Sequence, residues 1–442
     1  MRLGDALAWL DAHQNLERML SDSRLAVPDL SRMQRLMDLM DQPQRACPVI
    51  HLTGTNGKTS TARALSAVLT AKGLSVGTFT SPHLERINER LSVGDQPIDD
   101  DELAELLSSL QALESMLGPD VHLTWFEVLT AAAYRWFADR PVDVAVVEVG
   151  LGGRWDATNV ADGAVVVVTN VGLDHVEFLG PTLADVAAEK AGIIKPDSAL
   201  VLSETSPELV AIFEAQRPER VWLRGRDFEI EANELAVGGR LLRLRTPGAT
   251  YDDIFLALHG RHQADNFMDA LVAAEAFFDA PVENELVAEA AMTVRSPGRL
   301  EVVGRRPLVV LDGAKNVPGA MAAAAAVDEE WSEVRSRILV VGMLRGRGKD
   351  PEEMLRALDG EKARLVITCP APSPRTVPPD ELAAAAQSIG VPAEVADSVD
   401  EALDLALGAA DPDDLILVTG SLYVVGAART ALSRKHEVTG GH

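Results

Sequence analysis

The stretch Val49-Ile50-His51-Leu52-Thr53-Gly54-Thr55-Asn56-Gly57-Lys58-Thr59-Ser60 decides the fold. Its first half is a short apolar run and its second a glycine-bounded polar turn, after which a helical pattern runs from Ser60 to Lys72. That is strand, tight loop, helix, the context in which backbone N–H groups and a helix N-terminus cradle phosphates. Gly54 and Gly57 allow a close approach that a side chain would obstruct. Lys58 is placed to reach terminal phosphates and the Thr59 hydroxyl to hold Mg²⁺. The spacing is the short G-x-x-G-K-T, because Leu52 occupies the place of the first glycine in G-x-x-x-x-G-K-[ST]. A plain glycine turn with a solvated Lys58 is the competing reading. The strand before and the helix after favour phosphate.

Outward from this stretch, apolar runs at 48–53, 76–80, 143–149, 164–169, 199–202 and 221–223 read as strands. Helical patterns at 60–72, 101–116, 126–138, 182–192 and 207–216 separate them, and two more helices, over 5–20 and 29–41, precede the loop. Strands apolar on both faces imply a mostly parallel sheet covered by helices. From 227 to 258 short alternating pieces appear, with a hairpin expected at Gly238-Gly239. A helix at 263–278 and another to about 293 follow, then a linker at Ser296-Pro297-Gly298. A second alternating set has strands at 307–311, 338–342, 364–368, 393–395 and 414–418. The expected class is α/β in two domains: a phosphate-loop parallel-sheet domain at 1–295 and a smaller Rossmann-like domain at 299–442.

Composition narrows the function. At 442 residues, two domains are the prior, and 47% hydrophobic with 24% charged residues is ordinary for a globular protein. A net charge of −26 argues against non-specific binding to nucleic acid or anionic membranes. Two distant cysteines, Cys47 and Cys369, suggest no disulfide and fit a reducing cytoplasm. Met1 to Asp5 shows no signal-peptide pattern. The runs Val142–Val149, Ala164–Thr169 and Met321–Val327 are too short to span a bilayer. A soluble cytoplasmic protein is expected.

Further polar residues cluster where strands end, the edge at which open α/β sheets bind ligands. Glu148 to Asn159 (EVGLGGRWDATN) follows one strand; its glycines fail the dinucleotide pattern G-x-G-x-x-G. Asn170 to His175 follows another, and a metal shared by His175, Glu148 and Thr59 is reasonable, although imidazole is unusual for Mg²⁺. Thr80-Ser81-Pro82-His83-Leu84 offers a hydroxyl or a Ser-Pro turn. Lys190 reads by default as a cation in a last helical turn. Arg299, Leu311 to Asn316 and Thr419 to Tyr423 face a nucleotide from the second domain or form strand-end turns.

Taken in order, GTNGKTS, TSPHL, Thr124-Trp125-Phe126-Glu127, EVGLGGRWDATN, GLDHVEFLG, EKAGIIKP, LDGA-x-N and GSLY resemble folylpolyglutamate synthase and dihydrofolate synthase, of the Mur ligase superfamily. The resemblance covers nearly the whole chain and implies an ATP-dependent amide ligase. In such an enzyme ATP phosphorylates a carboxylate to an acyl phosphate. The amine of L-glutamate then attacks, giving the amide, ADP and phosphate. The resemblance implies that Gly54, Thr55, Asn56, Gly57, Lys58, Thr59 and Ser60 bind the triphosphate, with Asn266, Arg299 and Asp312 as further ATP contacts. It assigns two Mg²⁺ ions to Thr59, Ser81, Glu148, His175 and Lys190, the last as a carbamylated lysine. It puts a pterin at Leu30, Thr124, Phe126, Arg154, Asp156 and Ala157, and makes Lys58, Glu148, His175, Lys190 and Lys315 catalytic. The expected partners are ATP, L-glutamate and dihydropteroate or reduced folates, without nucleic acid or membrane, in a monomer.

Two positions depart from the family pattern. Lys315 stands where the family usually has histidine, and Gly346 to Asp350 replaces an Asp-Lys-Asp run on the glutamate side. Three alternatives remain: a monofunctional folylpolyglutamate synthase, a cell-wall Mur ligase, and a non-catalytic nucleotide-binding homologue disabled at Lys315. The 53 residues before Gly54 are too few for the extra domain of the cell-wall enzymes.

Overall fold

A computed structural model describes residues 2–15, 17, 29–118, 120–346 and 350–439. The first sheet has eight strands: β1 (Val49–Thr53), β2 (Val76–Phe79), β3 (Leu91–Val93), β4 (Gln96–Pro97), β5 (Val144–Glu148), β6 (Gly163–Val168), β7 (Ala199–Leu202) and β8 (Arg220–Leu223). Their spatial order is β4-β3-β2-β5-β1-β6-β7-β8, parallel except for the β3–β4 edge. The chain leaves β1 for β2 on one side and later runs through β6 to β8 on the other. The carboxyl end of β1 therefore lies where connections diverge, the favoured ligand position in such sheets.

Side-chain alternation explains why β1 is central. Ile50 and Leu52 join Val144, Val146, Val165 and Val167 on one face, packed with Phe267 and Leu271 of the helix Arg261–Phe278. Val49, Ala145 and Val147 join the opposite face with Val128, Leu129 and Trp136 of the helix Trp125–Asp139. Each fully buried valine or leucine contributes roughly 1.5–3 kcal/mol, so the two-sided strand anchors the loop that follows it.

Next come β9 (Glu229–Ala236), β10 (Gly239–Arg245) and β11 (Thr250–Leu256), an antiparallel three-stranded sheet. The β9–β10 hairpin turns at Val237-Gly238, next to the expected Gly238-Gly239. The last sheet comprises β12 (Glu301–Arg305), β13 (Leu308–Leu311), β14 (Arg337–Val341), β15 (Leu365–Thr368), β16 (Ala393–Val395) and β17 (Leu415–Thr419), ordered β12-β13-β17-β14-β15-β16. Only β12 is antiparallel. The α/β class with two parallel-sheet units is as expected.

Three details differ from the sequence reading. The helix after the phosphate loop starts at Lys58, not Ser60, because Gly57 turns the chain into it with φ +87°. The edge strands β3, β4 and β12 went unanticipated; they are short, and β12 lacks an apolar run. The first helix is Leu3–Asp11 rather than 5–20, of which residues 16 and 18–20 lie outside the described residues.

One polar side chain interrupts β1. His51 is wholly buried, with Nε2 2.8 Å from Thr158 Oγ1. The Thr158 hydroxyl donates to Asp156, so the imidazole must be the donor to Thr158. Burial, aided by the Lys195 cation, pushes its pKa from 6.5 down to about 3. The unfolded chain binds this proton below pH 6.5 while the folded chain refuses it until about pH 3, so folding weakens as pH falls through that window. The slope approaches roughly 1.4 kcal/mol per pH unit. His51→Gln, whose amide nitrogen reaches the same Thr158, should lose less stability between pH 6.5 and 4 than the wild type. A melting-temperature profile as acid-sensitive as the wild type's would contradict this.

Candidate active site

The phosphate loop is braced from the neighbouring strand. After β6, Asn170 accepts from the Asn56 N–H at 3.0 Å and donates to its carbonyl at 2.9 Å. Thr169 donates to the same carbonyl at 2.7 Å, and the Thr55 hydroxyl exchanges hydrogen bonds with Gly172 at 3.0 and 2.9 Å. A Cβ at Gly54 would lie 1.9 Å from Thr169 Oγ1, and one at Gly57 2.3 Å from Asn266 Oδ1. The glycines are thus required by these two approaches. Lys58 arches back over its own loop, donating to the Gly54 carbonyl at 3.0 Å.

Glu148, at the end of β5, is 1% exposed. Its carboxylate accepts from the Thr59 hydroxyl at 3.0 and 2.9 Å and from the Ser81 N–H at 3.0 Å. Burial raises its pKa, and the nearby Lys58 ammonium pulls the other way. Three strand ends, of β1, β2 and β5, therefore meet at one carboxylate.

Lys190 does not behave as an exposed last-turn cation. It is 3% exposed in the helix Leu183–Ala191, and burial, reinforced by the Lys58 charge, lowers its pKa to about 7. Its amine is therefore substantially neutral near physiological pH. His175 adopts a left-handed backbone at φ +52° in the loop after β6, with Nε2 3.8 Å from the preceding Asp174. Among the described residues no group of three or more His, Cys, Asp or Glu side chains stands close enough to hold a metal by itself.

The second domain closes over the site. Lys315 Nζ reaches Asp174 Oδ2 at 3.5 Å, Asn316 donates to Asn56 Oδ1 at 3.1 Å, and Ser60 meets Ser296 at 2.9 Å. Asp312 is buried and accepts from Leu300 N and Ala314 N at 3.0 and 2.9 Å. Burial raises its pKa, against the pull of Arg299. Arg299 lines a small cavity with Thr59, Arg63, His83 and Ser296. Asn266 lies against Gly57 and donates to Gln263 at 3.0 Å.

The six pterin candidates divide in two. Thr124 caps the helix Trp125–Asp139, exchanging bonds with Glu127 at 3.2 and 2.6 Å. Asp156 turns inward to Leu151 N at 2.9 Å and Thr158 N at 3.0 Å, and Ala157 is buried. Phe126 packs 5.8 Å from Phe79 and against Gly150 but keeps partial exposure, as does Leu30; Arg154 is exposed, its guanidinium 3.3 Å from the Ala188 carbonyl. Of the Gly346-to-Asp350 segment, 347–349 lie outside the described residues. Sequence reading missed the bracing role of Thr169 and Asn170, and missed Arg63 altogether; an arginine inside a helix carries no local signature.

Family comparison agrees with this geometry. The description "Mur ligase middle domain" matches residues 52–274, and "Mur ligase, glutamate ligase domain" matches 298–422. The chain belongs to the Mur ligase family. Within it, the chain is 39% identical to a dihydrofolate synthase/folylpolyglutamate synthase of Mycobacterium tuberculosis over 92% of this chain and 90% of that one. It is 33% identical to a folylpolyglutamate synthase of Lacticaseibacillus casei over 91% and 94%. A solved M. tuberculosis folylpolyglutamate synthase complexed with ADP superimposes with a TM-score of 0.90 at 38% identity, covering 98% of each chain. The two family matches together span the phosphate-loop part and the glutamate-ligase part of this Mur ligase.

Gly57→Ala tests the loop directly. A side chain there meets Asn266 and forces an L-residue to φ +87°, a strain of roughly 1–2 kcal/mol before the clash. The variant should fold with the circular dichroism of the wild type and lose at least most of its ATP affinity. Wild-type ATP affinity by calorimetry would refute the loop assignment.

Proposed function

We propose that this Mur ligase is an ATP-dependent carboxylate–amine ligase that joins L-glutamate to dihydropteroate, to the γ-carboxyl of tetrahydrofolyl-(poly)glutamate, or to both. One observation carries it: Glu148 gathers Thr59, Ser81 and Lys58 at the phosphate loop, beneath a second domain that reaches the same loop through Asn316 and Lys315. Such a cleft brings a nucleotide and a second substrate together out of water.

In the reaction a substrate carboxylate oxygen attacks the γ-phosphorus of ATP and ADP leaves. The glutamate amine then attacks the acyl carbon, loses a proton, and phosphate leaves. Backbone N–H groups of Gly54 to Ser60 bind the phosphates, and Lys58 stabilises charge developing on the transferred group. Lys315 adds a cation from the opposite wall, at the position where a histidine would need protonation to do so. A divalent cation fits the donor set. Glu148 is a buried carboxylate whose ionised form burial disfavours, and hydroxyl and carboxylate oxygens suit Mg²⁺. Glu148 and Thr59 would hold it, with Ser81, His175 and a carbamylated Lys190 completing the set for two ions. When bound, Mg²⁺ supplies charge neutralisation for the phosphoryl group. Carbamylation at Lys190 requires a neutral amine, which its lowered pKa provides. Leu30, Phe126 and Arg154 are the pterin contacts that retain exposure.

The protein is proposed to act in the cytoplasm as a monomer; no helix among the described residues is long and apolar enough to cross a membrane. Phosphate release with ATP, Mg²⁺ and L-glutamate should occur with dihydropteroate, tetrahydrofolate or both, and the acceptor used names the activity. Lys58→Ala should reduce turnover by at least roughly a hundredfold while the protein stays folded. No glutamate-dependent phosphate release with either acceptor would overturn the function.

A further inference from the structure

Arg63 stands on the helix Lys58–Ala71, one turn after Thr59 and on the same face. A long side chain on a helix leans back over the preceding turn, which here carries Thr59. Thr59, Arg63 and Glu89 line one side of a cavity of about 20 Å³, and Ser296, Arg299 and Leu422 line the other. The cavity thus lies at the joint where the linker enters the second domain. The Thr59 hydroxyl in its wall donates to Glu148 at 3.0 Å, so the joint borders the phosphate end of the site. A volume of this size holds one water-sized atom.

Two guanidiniums face this space. Among the described residues Arg63 makes no hydrogen bond and no ion pair. The Arg299 guanidinium donates only to the carbonyl of its neighbour Gly298, at 3.2 Å. The acceptors around them are engaged elsewhere. Glu89 takes the backbone N–H groups of Leu84, Glu85 and Arg86 at 2.8, 2.9 and 2.8 Å. Glu148 takes Thr59 and Ser81, and Ser296 pairs with Ser60. Burial works against the Arg63 charge; the Glu89 carboxylate supports it and the Arg299 charge opposes it. A guanidinium keeps its proton even so, and it offers five N–H donors and no acceptor. Two such groups converging on one small space form a seat for an anionic oxygen.

Resting on the ligase reading above, we propose that Arg63 is a further phosphate-binding residue of this reaction: with Arg299 it holds one oxygen of a phosphate group that stands beside Thr59. The helix that carries Arg63 begins at the phosphate loop, which favours a phosphate over a carboxylate. The cavity admits one oxygen and not a whole phosphate, so the rest of the group stays toward Thr59 and Lys58. Two sources share this chemistry: the phosphoryl group in transfer from ATP, and the inorganic phosphate released when the amide forms. Arg63 belongs to the first domain and Arg299 to the second, so an oxygen held by both ties the joint to the presence of that phosphate.

Arg63→Met and Arg63→Gln both remove the cation, and one serves where the other does not fold; Arg63→Lys keeps it. Calorimetry on the full chain with Mg²⁺ measures three affinities: for a non-hydrolysable ATP analogue, for ADP, and for inorganic phosphate in the presence of ADP. The neutral variants should bind the analogue, the phosphate or both roughly ten- to a hundredfold more weakly, with ADP changed by less than about twofold. A loss for the analogue alone names the transferred group as the occupant, and a loss for phosphate alone names the product. Arg63→Lys should recover part of the loss, a point charge standing in for a forked donor. Unchanged affinities for all three ligands, equal losses for ADP and the analogue, or a loss confined to the KM for L-glutamate would overturn the proposal. None of the binding measurements needs turnover. A wild type with the expected affinities but no glutamate-dependent phosphate release would therefore sink the ligase reading alone.

Discussion

A buried carboxylate cannot be left without donors, and the site is organised around that constraint. Glu148 is removed from water at the end of β5, where desolvation of an ion is severe unless hydrogen bonds and opposite charge replace the solvent. Thr59 supplies one donor, which fixes the rotation of the helix that begins at Lys58. The Ser81 N–H supplies another, which ties down the segment after β2. Lys58 supplies charge. The phosphate loop, the Ser81–Leu84 segment and the end of β5 are thus positioned by one group.

That dependence shows why the site was only partly legible in the sequence. Strands such as Val144–Glu148 and Gly163–Val168 are apolar throughout, so a buried parallel sheet could be read from composition alone, and polar residues at their ends followed from the fold class. Gly54 to Ser60, Glu148 and Asp312 were assigned on these grounds, and the structure sets them at the ends of β1, β5 and β13. What escaped was whatever depends on contacts distant in sequence. Asn170 braces Asn56 across 114 positions, and Arg90 reaches Glu17 across 73. Thr124 and Asp156 illustrate the converse: the motif places them in the right loop, but their polar atoms bind Glu127, Leu151 and Thr158 within the fold. Position in a motif does not say which way a side chain faces.

The two domains are held together by ion pairs on the periphery, and nearer the phosphate loop by uncharged hydrogen bonds beside the single ion pair Lys315–Asp174. Arg240, fully buried on β10, pairs with Glu329 and Glu330 at 3.2 and 3.0 Å, and His259 reaches Glu330 at 2.6 Å. On the other side Arg429 joins Glu85 to Glu301. Between these clasps, Asn56–Asn316 and Ser60–Ser296 are single hydrogen bonds between uncharged groups. Uncharged contacts at the phosphate loop leave its cations uncompensated by the opposite wall, whereas the clasps fix how the walls face each other.

The whole-chain charge of −26 opposes any anionic substrate, so the local field must reverse its sign. Lys315 lowers the proton affinity of Lys58, and both Lys58 and Lys315 lower that of Lys190. At Lys58 burial is the largest effect, and the Glu148 carboxylate, with Asp174 and Asp156, raises the proton affinity against the Lys315 charge. A triphosphate brings further negative charge beside these cations. Lys315 adds an ammonium from the second domain, 3.5 Å from Asp174. Cations gathered and desolvated at the end of β1 are what let an acidic protein hold anionic substrates against its own field.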